Sequence, residues 1–243
     1  MNDTKKLQDE IYEYIKDIDY TTTYSVAHHV RFLIMANVIM KNKCKKVFDV
    51  GFGNAALPIY LQKLKYSGEY IGTDLNQQFV ENAQKLTGLN FNTRFYNKPA
   101  YQINERFDCV ILGEIITHLA KNEAMRFLKH CKSVLTKDGC IILTTPNKTH
   151  DIVNWPEYNK DEYTYQELRE LFKKCKLDVK ECIGLWSNSK STFDFIDVVE
   201  KEMYQRYEKL VPNSILNVFF NIIYPQKSKH LLFILTKEKG DLK

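Results

Sequence analysis

Long apolar runs are missing from this chain. The longest, Ile215 to Tyr224, is broken by Asn217 and Asn221, whereas a helix that crosses a bilayer needs about 20 apolar residues in a row. A membrane span is therefore not expected. The six cysteines include no C-x-x-C pair, so neither a zinc-binding nor a redox motif is expected. Cys109 and Cys140 fall inside apolar runs and read as small core residues. Dense blocks of one charge are absent as well. The formal net charge of +5 comes from lysines spread along the chain, which argues against a nucleic-acid arm. The stretch MNDTKKLQDE mixes acids and bases, so a secretory signal is not expected, and the unpaired cysteines fit a reducing cytoplasm. No internal repeat or low-complexity segment is evident. What is present suffices for a full core: 44% of residues are hydrophobic and 13% aromatic, in keeping with one large α/β domain.

The organising stretch is Lys45 to Leu64. Val47, Phe48 and Val50 read as a buried strand, followed by a tight turn at Gly51 and Gly53 and a helix from near Asn54. Two glycines one residue apart let the main chain turn sharply and approach a ligand without an intervening Cβ. The helix points its free N–H groups back at that turn. With Ala56, the spacing also satisfies the dinucleotide pattern G-x-G-x-x-G/A, so a nicotinamide or flavin has to be weighed. Asp49 decides against it, because a carboxylate two residues before the first glycine repels a pyrophosphate. The same carboxylate favours the sulfonium and ammonium groups of S-adenosylmethionine.

A second strand at Tyr70–Gly72 leads to Asp74, 23 residues beyond Gly51, where a carboxylate can hold a ribose diol. Leu75 lies beside it, and Asn76 is the expected cap of the helix QQFVENAQKL. A third strand, Phe91–Tyr96, delivers Asn97, whose amide offers donor and acceptor to an adenine edge. The run Phe107–Leu112 reads as a strand buried on both faces and delivers Glu114 and His118. A helix over Asn122–Leu135 and a strand over Cys140–Asn147 follow. Next come a loop holding Trp155 and Tyr158, a helix over Tyr165–Lys174 capped by Thr164, and a strand from Leu177 to Ile183. Helical spacing over 193–224 and a closing strand at His230–Thr236 complete the pattern. Upstream, residues 4–18 and Ser25–Lys41 have helical spacing. The second of these leads into the first strand and places Arg31 for a methionine carboxylate, with His28 one turn away.

Alternation of strands and helices implies a doubly wound, Rossmann-like sheet. Residues 1–243 read as a single domain: a helical cap (1–43), a cofactor-binding core (44–185), a helical insertion or lid (186–228), and a last strand and tail (229–243). Candidate catalytic residues are His118, Glu114 and His28. Candidate cofactor contacts are Asp49, Gly51, Gly53, Asp74, Leu75, Asn97, Arg31 and Glu114, and candidate substrate contacts are Tyr24, Asn147, Trp155, Tyr158 and Trp186.

D-V-G-F-G-N-A at 49–55, Asp74, F-D-C-V-I-L-G-E at 107–114, L-T-K-D-G at 135–139 and T-T-P-N at 144–147 together resemble class I S-adenosylmethionine-dependent methyltransferases. The resemblance implies a seven-stranded sheet with its last strand antiparallel. It implies methionine contacts at Asp49, Gly51 and Gly53, ribose contacts at Asp74 and adenine contacts near Asn97. H-H-V-R-F at 28–32 is similar to a segment of some small-molecule methyltransferases. Two departures stand out. Ala55 replaces a third glycine and is tolerable if its φ stays negative, and Asn97 stands where an acid is usual. Thr117 stands in place of a ligand in the acid–His cluster with which small-RNA methyltransferases hold a metal, so no metal is expected. The implied activity is methyl transfer to oxygen or nitrogen of a small metabolite, such as a sugar or natural-product intermediate. RNA methylation, a non-catalytic subunit keeping the cofactor fold, and an oxidoreductase are the alternatives.

Overall fold

The structure, a computed structural model, describes residues 23–86, 88–148, 161–186, 225–238 and 240, and gives only the backbone of residues 23–29, Trp186 and Lys227. Trp155, Tyr158 and the expected helices over 4–18 and 193–224 lie outside the described residues. So do the side chains of Tyr24, His28 and Trp186.

Helix α1 (Thr23–Lys41) leads through a short turn into β1 (Lys46–Val50). There follow α2 (Ala56–Lys63), β2 (Glu69–Thr73), α3 (Gln77–Gln84), β3 (Asn92–Tyr96), β4 (Phe107–Gly113), α4 (Lys121–Ser133), β5 (Leu135–Pro146), α5 (Tyr165–Lys174), β6 (Leu177–Trp186) and β7 (His230–Lys237). The strands form one seven-stranded sheet in the order β3-β2-β1-β4-β5-β7-β6. Pairs β1–β2, β1–β4, β2–β3 and β4–β5 are parallel, and β7 runs antiparallel to both β5 and β6. The expected doubly wound sheet with a reversed last strand is what forms.

Side-chain alternation splits the core into two layers. Phe48, Val110, Leu112 and Leu143 pack with Phe127 and Leu128 of α4 and Phe172 of α5. Val47, Cys109, Ile111 and Ile142 face Met35 and Ile39 of α1, Leu57 and Leu61 of α2, and Phe79 of α3. Apolar residues on both faces are what a fully covered parallel sheet requires. Two helix starts follow their sequence signals. Asn76 Oδ1 accepts from the Gln78 and Phe79 N–H groups at 2.8 and 3.4 Å. Thr164 and Glu167 form a reciprocal capping box, the Thr164 N–H meeting the Glu167 carboxylate at 2.8 Å.

Two boundaries and one backbone angle differ notably from expectation. Leu135 opens β5 rather than closing α4, because it pairs with Phe107; the polar residues Thr136–Gly139 bulge out before Cys109 meets Cys140. Helix α2 begins at Ala56, after a turn at Gly51–Ala55. Ala55 has φ of +53° rather than a negative value, so this alanine holds a left-handed conformation at a cost of roughly 1–2 kcal/mol.

Candidate functional site

Parallel strands β1, β2 and β4 end on one edge, and their exits build the candidate site. Main-chain bonds carry the ladder one residue past each strand: Gly51 N–H donates to Thr73 O at 2.7 Å, Asp74 N–H to Tyr96 O at 3.1 Å, and Glu114 N–H to Thr144 O at 3.0 Å. Gly51, Asp74 and Glu114 are thereby fixed side by side.

The turn is shaped by what surrounds it. Gly51 has φ of +66°, and a Cβ there would lie 2.2 Å from Ile115 Cδ1. Gly53 has φ of +58° and open space around the same position. Phe52 points the other way, buried edge-on against Phe95 with ring centroids 5.1 Å apart. It fits because Gly72 has no Cβ, which would stand 2.6 Å from the Phe52 ring. The result is a turn locked from below by an aromatic ring and open above at Gly53.

Two carboxylates flank this turn. Asp74 Oδ2 accepts from Gly53 N–H at 3.0 Å, and Oδ1 accepts from Asn76 N–H at 2.8 Å. Burial raises the Asp74 pKa, opposed by its backbone donors, Asn76 first. Asp49 is buried at the end of β1 and accepts from the hydroxyl of Tyr70 on the neighbouring strand. Burial pushes its pKa up to about 7 against that hydrogen bond, helped by the Asp74 charge and opposed by Arg31. Asn97 donates through Nδ2 to Asp74 O at 3.0 Å. Leu75, beside it, is among the exposed large apolar residues.

Across the edge, Glu114 adopts φ of +61°, uncommon for a residue with a side chain. Its carboxylate lies 2.9 Å from Arg31 Nη1 and 3.2 Å from His230 Nε2. Burial alone would raise its pKa, but His230 and Arg31 hold it well below the usual carboxylate range. Helix α1 and strand β7 are thus joined to the exit of β4. His118 follows in a single turn, Ile116–His118, whose main chain closes through His118 N–H to Ile115 O at 3.1 Å. His230 had no sequence signal, since it stands 116 residues from Glu114 and reads as an ordinary strand start.

One expected substrate contact, Asn147, is buried and held by main-chain groups. Asn147 is 1% exposed. Its Nδ2 donates to Gln226 O and Ser228 O at 2.9 and 2.8 Å, and its Oδ1 accepts from Tyr165 N–H at 3.0 Å. Its amide is engaged by three main-chain groups, so it acts as a clamp between β5, α5 and the approach to β7. Among the described residues, three metal-ligating side chains converge only at Cys44, Cys109 and Cys140, away from this edge.

Residues 47–139 match the family model described as a methyltransferase domain. No curated protein matches the chain. Solved structures share the fold at low identity. A magnesium protoporphyrin IX methyltransferase from Synechocystis PCC 6803, with bound S-adenosylhomocysteine, is 13% identical over 88% of this chain and 84% of that one, with a TM-score of 0.59. An S-adenosylmethionine-dependent methyltransferase from Clostridium acetobutylicum ATCC 824 is 13% identical over 95% and 97%, with a TM-score of 0.57. An O-methyltransferase from a trans-AT polyketide synthase of Brevibacillus brevis, in complex with S-adenosylhomocysteine, is 19% identical over 86% and 72%, with a TM-score of 0.54. With its sheet order and its glycine turn, the chain has the fold of these class I S-adenosylmethionine-dependent methyltransferases, and its residues 47–139 match the methyltransferase-domain model.

Proposed function

We propose that this chain transfers a methyl group from S-adenosylmethionine to an oxygen or nitrogen atom of a small polar or aromatic molecule, a sugar or a natural-product intermediate. The observation that carries this reading is the pair of carboxylates, Asp49 and Asp74, on either side of the Gly51–Gly53 turn. The residues fit the cofactor. Each carboxylate oxygen has two lone pairs, so Asp74 retains acceptor capacity for a ribose diol beyond its two backbone donors. Gly53 leaves room for close approach of the main chain. Asn97 Oδ1 and the exposed Leu75 offer a polar edge and an apolar face to a purine. Asp49 adds the negative charge that suits a cation.

When bound, the cofactor supplies a methyl group on a positively charged sulfur. The protein's part is to hold the acceptor in line and keep water out, which is worth several kcal/mol. Glu114, fixed between Arg31 and His230, gives the acceptor side an anionic wall. His118 is the candidate base for an acceptor that arrives protonated, with His28 on α1 the next candidate. Tyr24, Trp155, Tyr158 and Trp186 complete the candidate acceptor contacts. A small acceptor agrees with solved neighbours described as a porphyrin methyltransferase and a polyketide-synthase O-methyltransferase.

The test is calorimetry with S-adenosylhomocysteine and with NAD, followed by labelled-methyl incorporation over metabolite extracts. S-adenosylhomocysteine is expected to bind and NAD not to bind. Binding of NAD alone would overturn the assignment.

A further inference from the structure

We propose that Cys44, Cys109 and Cys140 form a three-sulfur site for one soft divalent cation of the zinc class, away from the edge that carries Asp49 and Asp74. The three come from different elements: Cys44 from the turn between α1 and β1, Cys109 from β4 and Cys140 from β5. Their Sγ atoms all lie within 4.8 Å of one another. Cys109 and Cys140 are register partners on adjacent strands, with sulfurs 3.9 Å apart. Zinc–sulfur bonds of about 2.3 Å in tetrahedral geometry place sulfurs about 3.8 Å apart. The strand pair already has that spacing, and Cys44, in a turn, has the shorter way to move.

Charge favours a divalent ion. Three thiolates around it leave one negative charge, and the Lys180 ammonium, held 3.2 Å from Asn42 Oδ1 two residues before Cys44, is a nearby counter-charge. Converting the thiols to thiolates releases their protons. Asp108 is not a fourth ligand, because its carboxylate accepts from the Lys45 and Lys46 N–H groups at 2.9 and 3.0 Å and from Thr136 Oγ1 at 3.2 Å. The fourth position falls to water, as in three-ligand zinc sites. Cys131 is the contrast: equally buried, it stands outside the cluster.

The experiment uses the full chain, reduced and stripped of metal, titrated with cadmium as a spectroscopic probe and then with zinc in competition. The expected result is thiolate-to-cadmium charge transfer that saturates at one equivalent, with zinc displacing it. Cys44→Ser should weaken binding by about 100-fold, Cys131→Ser should leave it unchanged, and affinity for S-adenosylhomocysteine should stay within about twofold. Cys140→Ser should match Cys44→Ser; if it fails to fold, the turn variant, checked by circular dichroism, decides. Absence of charge transfer at one equivalent, or an equal signal in Cys44→Ser, would overturn the site.

Discussion

Gly51 and Gly53 both have positive φ, but they are held for different reasons. An alanine at 51 collides with Ile115, while one at 53 meets open space. Gly51→Ala should therefore cost the left-handed strain, roughly 1–2 kcal/mol, plus a shift of the Ile115 side chain, and so lower the melting temperature somewhat more than a change at 53. Gly53→Ala should cost only the left-handed strain, roughly 1–2 kcal/mol, yet weaken S-adenosylhomocysteine binding at least tenfold; thermal melts and calorimetry on both variants separate the two effects. Asp49 makes a prediction in pH. Its folded pKa, about 7, is raised above the unfolded value, so the folded state binds the extra proton. The stability this confers is fully present below about pH 4 and is lost as pH rises through 7, a loss of roughly 4 kcal/mol at most. Asp49→Asn should flatten that slope in denaturant titrations. The ionised form favours a cationic sulfur, so affinity for S-adenosylmethionine should rise roughly tenfold from pH 6 to 8 relative to S-adenosylhomocysteine, and Asp49→Asn should remove that difference.

Among the elements, those bounded by a single clear signal were legible from the residues alone. Apolar runs marked β1, β4 and β7, and Thr164 as a cap marked the start of α5. The misread boundaries had competing signals. Thr136–Gly139 is polar and reads as a loop, although Leu135 is already paired in the sheet. Ala55 shows no preference for positive φ and adopts it because the turn before α2 requires it. Of the candidate site, the strand exits at Asp49, Asp74 and Glu114 could be read from local pattern. His230 and the cysteine cluster could not, because they arise from strand order and have no sequence spacing of their own. Asn147 was noticed for its position, and its side chain is engaged by three main-chain groups. Asn147→Ala should destabilise the protein by about 2–4 kcal/mol through three unmet main-chain groups, seen as a lower melting temperature with the affinity for cofactor unchanged.

For the molecule as a whole, no helix among the described residues is long and apolar enough to cross a membrane. The two core layers enclose the sheet, while the candidate chemistry gathers on one edge of it, outside the ends of the parallel strands, where open α/β sheets bind ligands. The residues that pack the two layers and those of the candidate edge thus alternate along the chain, the latter at the strand exits. Glu114 joins α1, β4 and β7 through Arg31 and His230. Glu114→Gln is expected to lower methyl transfer and also loosen the attachment of α1, measurable as faster hydrogen exchange over residues 30–41.

Strand pairing brings Trp186 opposite His230, and His230 opposite Pro146. The polypeptide therefore departs from the sheet and rejoins it at adjoining rungs, whatever length runs between. Ends so close together can be joined by a short tether in place of residues 187–224 without moving the strands they leave. A chimera with a short glycine–serine tether there should still fold and retain S-adenosylhomocysteine.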